Sequence, residues 1–155
     1  MADKLLGHLR STERYYADTN MNGVQQSFAV STLIPIALAG VASNVGGFYD
    51  PVAYTFTPIA GFYSVDYAFV FSTDVLADDV FSVALRRDGT NVRLSTEVAV
   101  TAGLCALHGS FSFAELVGGA DWQLAITITP ASGTSDRVMP VGFGAVTNWA
   151  VWKQE

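Results

Sequence analysis

The side chains that could do chemistry in this sequence are few, and their spacing argues against catalysis. The single cysteine, Cys105, precedes His108 by three residues in a stretch that alternates like a strand. Successive side chains of a β-strand point to opposite faces, so residues three apart cannot form a nucleophile–base pair. The sequence also lacks the motifs of a nucleophile elbow, a zinc protease helix and a phosphate-binding loop. We therefore expect no catalytic residues, no cofactor and no enzyme activity.

One group of carboxylates raises the question of a metal site. Asp74, Asp78 and Asp79 lie in a predicted loop, and clustered carboxylate oxygens are the ligands that calcium prefers. A solvated acidic loop without a metal is the alternative, and we favour it. One cysteine and two histidines are too few for a zinc site of the Cys/His type.

Asp66 is unusual because it stands in the middle of a predicted strand, on the side opposite a row of aromatic residues. Two interpretations stay open. Asp66 is either buried at an interface and paired with Arg93 or Arg137, or it is an ordinary surface carboxylate.

The composition predicts an oligomer. Half of the 155 residues are hydrophobic and 14% are charged, whereas roughly 25% of residues are charged in an ordinary soluble domain. No apolar run reaches the length of about 18 residues that a membrane span needs, so we expect no membrane partner. The apolar excess is more than a small β domain can bury by itself, which favours burial against other subunits.

The charge distribution argues against nucleic acid as a partner. The formal net charge is −6, and the eight lysines and arginines are scattered along the chain. No basic stripe is present to bind a phosphate backbone. The first residues are too short in their apolar part for a signal peptide, which predicts assembly in a cytoplasm.

The chain divides into an N-terminal arm, residues 1–22, and a domain, residues 23–155. The arm carries both signs of charge, and its leucines lie close to helical spacing. One interpretation is a frayed terminus. The other is an arm that contacts a neighbouring subunit or a capsid through four apolar or aromatic residues: Leu5, Leu9, Tyr15 and Tyr16.

The domain has the pattern of an all-β protein. From Phe62 to Phe71 large apolar residues alternate with smaller ones, which is typical of a strand with one buried face. Asp88-Gly89 separates two alternating segments and predicts a tight hairpin turn. Eight to ten short strands with turn signals between them indicate a sandwich or jelly roll. The apolar region Val138–Trp152 predicts a central closing strand.

A series of residues in the middle of the chain resembles the signature of the globular heads of complement C1q: Gly47, Tyr49, Asp50, Phe56, Gly61, Tyr63 and Tyr67. The segment from Val83 to Val92 is similar to a hairpin of the same family. That family belongs, with tumour necrosis factor, to a superfamily of trimeric jelly rolls. The resemblance implies an antiparallel jelly-roll sandwich that forms a homotrimer, with inner sheets packed around a threefold axis.

The resemblance and the apolar excess together suggest which side chains lie at the trimer interface, although ordinary core positions are the alternative for each aromatic ring taken singly. The predicted interface residues are Tyr63, Asp66, Tyr67, Phe69, Trp149 and Trp152.

A short acidic jelly roll with an arm and no collagen-like repeat resembles the decoration, or cement, proteins of tailed bacteriophage heads. This implies a structural virion protein on the capsid surface that binds the major capsid protein at threefold positions. The alternative is a receptor- or glycan-binding head of a phage fibre. Its candidate recognition loops are Thr73–Asp79, Thr101–Gly103 and Pro130–Asp136, since loops on a rigid β scaffold often carry recognition.

Overall fold

The computed structural model describes residues 16–20, 25–72, 74–140 and 148–154. These residues form only β-strands and their connections, and none of their segments is a helix that could cross a membrane. The strands are β1 (Tyr16–Asn20), β2 (Gln26–Phe28), β3 (Ile34–Pro35), β4 (Gly40–Val45), β5 (Tyr49–Asp50), β6 (Thr55–Phe56), β7 (Gly61–Phe71), β8 (Val80–Arg87), β9 (Thr90–Val98), β10 (Cys105–Glu115), β11 (Trp122–Thr129), β12 (Arg137–Met139) and β13 (Asn148–Gln154).

Two antiparallel sheets make up the sandwich. The first has the strand order β10-β7-β13-β1-β4, and the second has the order β5-β6-β11-β8-β9, with β3 paired to β11. A short pair, β12 with β2, stands apart from both. Neighbours in both sheets are often distant in sequence, which agrees with the jelly-roll sandwich that the sequence predicted. The closing strand β13 lies in the middle of the first sheet, which confirms its predicted central position.

Strand β7 follows from the alternation in its sequence. Its odd-numbered side chains from Tyr63 to Phe71 are buried, while Phe62 and Asp66 on the other side are exposed. It pairs along its whole length with β10, from Gly61 opposite Glu115 to Phe71 opposite Cys105. These two strands form the most extended part of the first sheet.

The hairpin between β8 and β9 has the predicted turn. Asp88 and Gly89 have φ angles of 47° and 78°, the left-handed conformation that a two-residue hairpin requires at both central positions. The Asp-Gly pair therefore sets the pairing of Arg87 with Thr90 and of Arg86 with Asn91, and a bulge shifts the register beyond them.

The boundary of the predicted arm falls within the sandwich. Residues Tyr16–Asn20, assigned to the arm from sequence, form β1 and pair with β13 on one side and β4 on the other. Their polar sequence has no row of large apolar residues to indicate a strand, and backbone pairing with two neighbours places them in the sheet. The arm residues Leu5, Leu9 and Tyr15 lie outside the described residues.

An aromatic cluster joins the two sheets. Phe56 of β6 is fully buried, and its ring centroid lies 5.0 Å from that of Trp149 and 5.8 Å from that of Phe113, both in the first sheet. It also contacts Trp122 of the second sheet, with ring centroids 6.4 Å apart. The cluster thus holds β10 and β13 against β11.

Candidate interaction surface

The six predicted interface residues divide between the core and the surface. Four aromatic side chains face the inside of the sandwich and are less than 5% exposed within one chain: Tyr63, Tyr67, Phe69 and Trp149. Asp66 is exposed and Trp152 is half-buried. Asp66 and Trp152 are therefore the members of this set with accessible surface for a neighbouring subunit, and their role in a trimer stays a prediction.

Strand β10 presents small side chains on the outer face of the first sheet. On β10 the outward residues are Ala106, His108, Ser110, Ser112 and Ala114, all exposed. Asp66 on β7 lies opposite Ser110 in register, and Ala68 lies opposite His108. Among the outward residues of these two strands Asp66 and His108 alone are ionisable, so the face is nearly uncharged.

The two arginines that were predicted to pair with Asp66 make other contacts within the chain. Arg137 is 1% exposed and its guanidinium binds Asp79, not Asp66. Arg93 donates a hydrogen bond to the carbonyl of Val92. Arg137 is therefore already neutralised by a buried carboxylate within the chain, and the pairing of Asp66 with an arginine at an interface stays a prediction.

Four apolar side chains on neighbouring backbone segments are exposed at one end of the sandwich. We call this group the end patch, and its members are Ile59, Phe62, Leu116 and Val117, with exposures of 45%, 63%, 84% and 85%. The backbones that carry them are in contact, since Gly119 N donates to Pro58 O at 3.1 Å and Phe62 lies opposite Ala114 in the β7–β10 ladder. Exposed apolar patches often mark interaction sites, so the end patch is a candidate interaction surface.

A buried carboxylate fixes the loop that presents the end patch. Glu115 is 1% exposed and accepts hydrogen bonds from the backbone N–H groups of Val117 and Gly118. It also accepts bonds from Trp122 Nε1 at 2.9 Å and from Arg87 Nε and Nη2 at 3.1 and 3.2 Å. Leu116 and Val117 therefore stand on a fixed turn. Sequence reasoning missed this network, because a glutamate at the end of an alternating strand is usually a surface residue.

The hydrogen bonds from Arg87 lower the pKa of Glu115 most, and those from Trp122 and two backbone N–H groups add to this effect. Together they outweigh the opposing effect of burial and bring the pKa from 4.5 to about 2. The ionised Glu115 side chain therefore stabilises the folded protein above pH 4.5, and this stabilisation is lost as pH falls toward 2. We expect Glu115→Gln to reduce the free energy of unfolding by about 2 kcal/mol at pH 7. We also expect a shallower loss of stability between pH 4.5 and 2 than in the wild type.

Urea unfolding at several pH values would measure both effects. Asp136→Asn, at an exposed carboxylate, is the matched control and should retain the wild-type slope. Parallel pH profiles for wild type and Glu115→Gln would contradict the role assigned to Glu115.

The three predicted recognition loops meet at the opposite end of the sandwich. Gly103 N donates to Val75 O at 2.8 Å, and Ala131 N donates to Asp79 Oδ1 at 2.9 Å. Asp74 and Arg137 line a hollow of about 140 Å³ between two of these loops, together with Leu76, Ser132, Gly133 and Ser135.

At this end of the sandwich, Asp79 is not available as a ligand for the calcium site that the sequence analysis considered. Both carboxylate oxygens of Asp79 accept from Arg137, at 2.6 and 3.0 Å, and Leu76 N donates to the same carboxylate. A carboxylate that is saturated by a guanidinium cannot also hold a cation beside Asp74 and Asp78. Among the residues that the structure describes, no group of three or more acidic, cysteine or histidine side chains could hold a metal.

Cys105 and His108, which the sequence analysis considered as a nucleophile–base pair, lie on different faces of β10. Cys105 is buried, while His108 is exposed on the outer face. Burial raises the pKa of the Cys105 thiol to about 11, and the charges of Glu97 and Asp79 contribute in the same direction. The thiol is therefore protonated at neutral pH and is a poor nucleophile.

The residues that carried the family resemblance have structural roles. Gly47 has a φ angle of 66°, and Tyr49 Oη donates to the carbonyl of Leu38 at 2.8 Å. Asp50 accepts from the backbone N–H groups of Val52 and Ala53. These three residues of the signature therefore stabilise turns and packing of the fold.

Comparison with known proteins also provides information on the fold. No protein-family model and no curated protein matches the chain. Among solved structures, the globular domain of the zebrafish complement 1qA protein superposes with a TM-score of 0.60, over 92% of this chain and 98% of that domain. The two sequences are 10% identical. The chain therefore has the complement C1q-like jelly-roll fold, as the sequence predicted, and this likeness establishes the fold alone.

Proposed function

We propose that this protein is a structural protein that decorates a capsid. It assembles as a homotrimer and binds the major capsid protein at threefold positions on the head of a tailed bacteriophage. The observation that carries the proposal is the end patch, which is a fixed apolar surface at the end of the domain where the N-terminal segment joins β1. The virus assignment rests on the resemblance to decoration proteins.

Two further observations support a structural role. The outward residues of β10 are small and, His108 apart, uncharged, a surface that suits packing against another subunit. The thiol of Cys105 and the imidazole of His108 lie on opposite faces of one strand, so this pair offers no catalytic centre. The proposed location is the capsid surface, with assembly in the host cytoplasm.

Removal of the N-terminal segment tests the proposal. Because Tyr16 begins β1, deletion of residues 1–15 leaves every described strand intact. We expect the truncated protein to remain a soluble trimer by light scattering and to lose binding to purified capsids in a sedimentation assay. A matched variant with residues 1–15 replaced by a Gly/Ser sequence of equal length should also fail to bind. Capsid binding equal to that of the full chain would overturn the proposed role of the segment.

The second candidate function is ligand binding by a fibre head, and the hollow between two of the three predicted loops favours it. Asp74, Ser132 and Ser135 would supply polar groups to a glycan there. Binding of the trimer on a glycan array that is lost in Ser135→Ala would support this function. An array without hits would count against it.

A further inference from the structure

We propose that the end patch is the docking site for the N-terminal segment of this protein, residues 1–15, through Leu5 and Leu9. The inference concerns the free protein and does not depend on the capsid proposal. It assigns a receptor surface to the predicted arm, whose own residues lie outside the described part of the structure.

The first argument is the point at which the segment joins the domain. Tyr16, the first residue of β1, lies opposite Trp152, and Trp152 lies opposite Ser64. Two residues further along the same sheet, Gln154 lies opposite Phe62, a member of the end patch. The segment therefore enters the sandwich at the end that carries the patch.

The second argument is reach. At about 4.8 Å between strands and 3.4 Å along a strand, the Cα atoms of Tyr16 and Phe62 are separated by roughly 12 Å. Leu9 precedes Tyr16 by seven residues, which span up to about 23 Å when extended. Leu5 can extend further still. The leucines can thus reach the patch of their own subunit without strain, and that of an adjacent subunit in an oligomer.

The third argument is chemical fit. The segment carries three leucines, Leu5, Leu6 and Leu9, and Leu5 and Leu9 are four residues apart, so a helical segment would present both on one face. The end patch offers four large apolar side chains on backbone that Glu115 holds in place. A fixed apolar receptor loses little conformational entropy when an apolar ligand docks.

A disulfide test decides the proposal in the full-length protein. The variant Leu9→Cys/Leu116→Cys is prepared in a Cys105→Ala background, so that the two introduced thiols are the only ones. A disulfide forms readily only where the two Cα atoms come within about 7 Å. We expect rapid oxidation in air, detected by mass spectrometry of peptides under non-reducing conditions.

The matched control is Leu9→Cys/Leu94→Cys, since Leu94 is 62% exposed on β9, outside the end patch. We expect at least about tenfold slower oxidation of this control, because its thiols meet only by diffusion of the segment. An intrachain disulfide in the first variant supports docking within one subunit, and an interchain disulfide supports docking on a neighbouring subunit. Equal oxidation rates in the two variants, or no disulfide with Cys at position 116, would overturn the proposal.

A second measurement needs no new cysteine. In the double variant Leu5→Ser/Leu9→Ser, the folded domain is untouched. We expect faster amide hydrogen exchange at residues 57–62 and 114–119 than in the wild type, with no change in β8 and β11. Identical exchange at the patch would also overturn the proposal.

Discussion

Replacing Phe56 with alanine is expected to reduce the free energy of unfolding by about 3–5 kcal/mol, the usual cost of removing a fully buried aromatic ring. The effect is large because Phe56 contacts Phe113 and Trp149 in one sheet and Trp122 in the other. Loss of this ring leaves a cavity between the sheets that neighbouring rings cannot fill without leaving their own contacts.

Chemical denaturation followed by tryptophan fluorescence would measure this change at a fixed protein concentration, because the stability of an oligomer depends on concentration. Leu94→Ala is the control, since Leu94 is an exposed apolar residue on an outer strand. We expect a change within about 0.5 kcal/mol for the control. A loss of less than 1 kcal/mol for Phe56→Ala would contradict the assignment of Phe56 to the centre of the core.

Replacing Asp79 with alanine is expected to have an effect of similar size, about 3–5 kcal/mol, for a different reason. Asp79 is fully buried and neutralises Arg137, which is 1% exposed. Burial acts to raise the pKa of Asp79, but the hydrogen bonds from Arg137, Leu76 and Ala131 outweigh it and lower the pKa below the ordinary value. The variant would leave a guanidinium without its carboxylate inside the protein.

A double variant separates charge from packing. Asp79→Ala/Arg137→Met removes both charges, and we expect it to recover much of the stability lost in Asp79→Ala, because no unpaired charge remains buried. Urea unfolding at pH 7 would compare the three proteins. If the double variant were less stable than Asp79→Ala by the full cost of a second truncation, the two side chains would not act as a pair.

The sequence predicted the strands where alternation is long. Phe62–Phe71 and Leu104–Leu116 correspond to β7 and β10 within one residue at each end, because each strand has one buried and one exposed face. The turn at Asp88-Gly89 was also predicted, since few residue pairs tolerate positive φ at two successive positions.

The sequence did not predict β1, because its residues carry no apolar row and the strand depends on pairing partners at least 20 residues away, at β4 and β13. It also failed to indicate the two buried carboxylates, Glu115 and Asp79. Both residues are typical of surfaces when read locally. Their partners Arg87 and Arg137 lie 28 and 58 residues away, and only the fold brings them together.

The candidate surface was predictable only in part. The excess of apolar residues indicated that some must face a partner, and this agrees with the exposed end patch. Of the predicted interface residues, Tyr63, Tyr67, Phe69 and Trp149 are buried within one chain, whereas Leu116 and Val117, which were not predicted, project from a turn. Large aromatic residues in strands favour the core, and short apolar segments in turns give no periodic signal.

Cryo-electron microscopy of virions purified from a lysate that contains this protein tests the capsid proposal most directly. The proposal predicts threefold knobs at many lattice positions on the head, each fitted by three copies of the jelly roll with the end where the N-terminal segment joins β1 toward the coat. Density at fibre tips alone would contradict the decoration role and favour receptor binding. Virions with no density for the protein would contradict both roles.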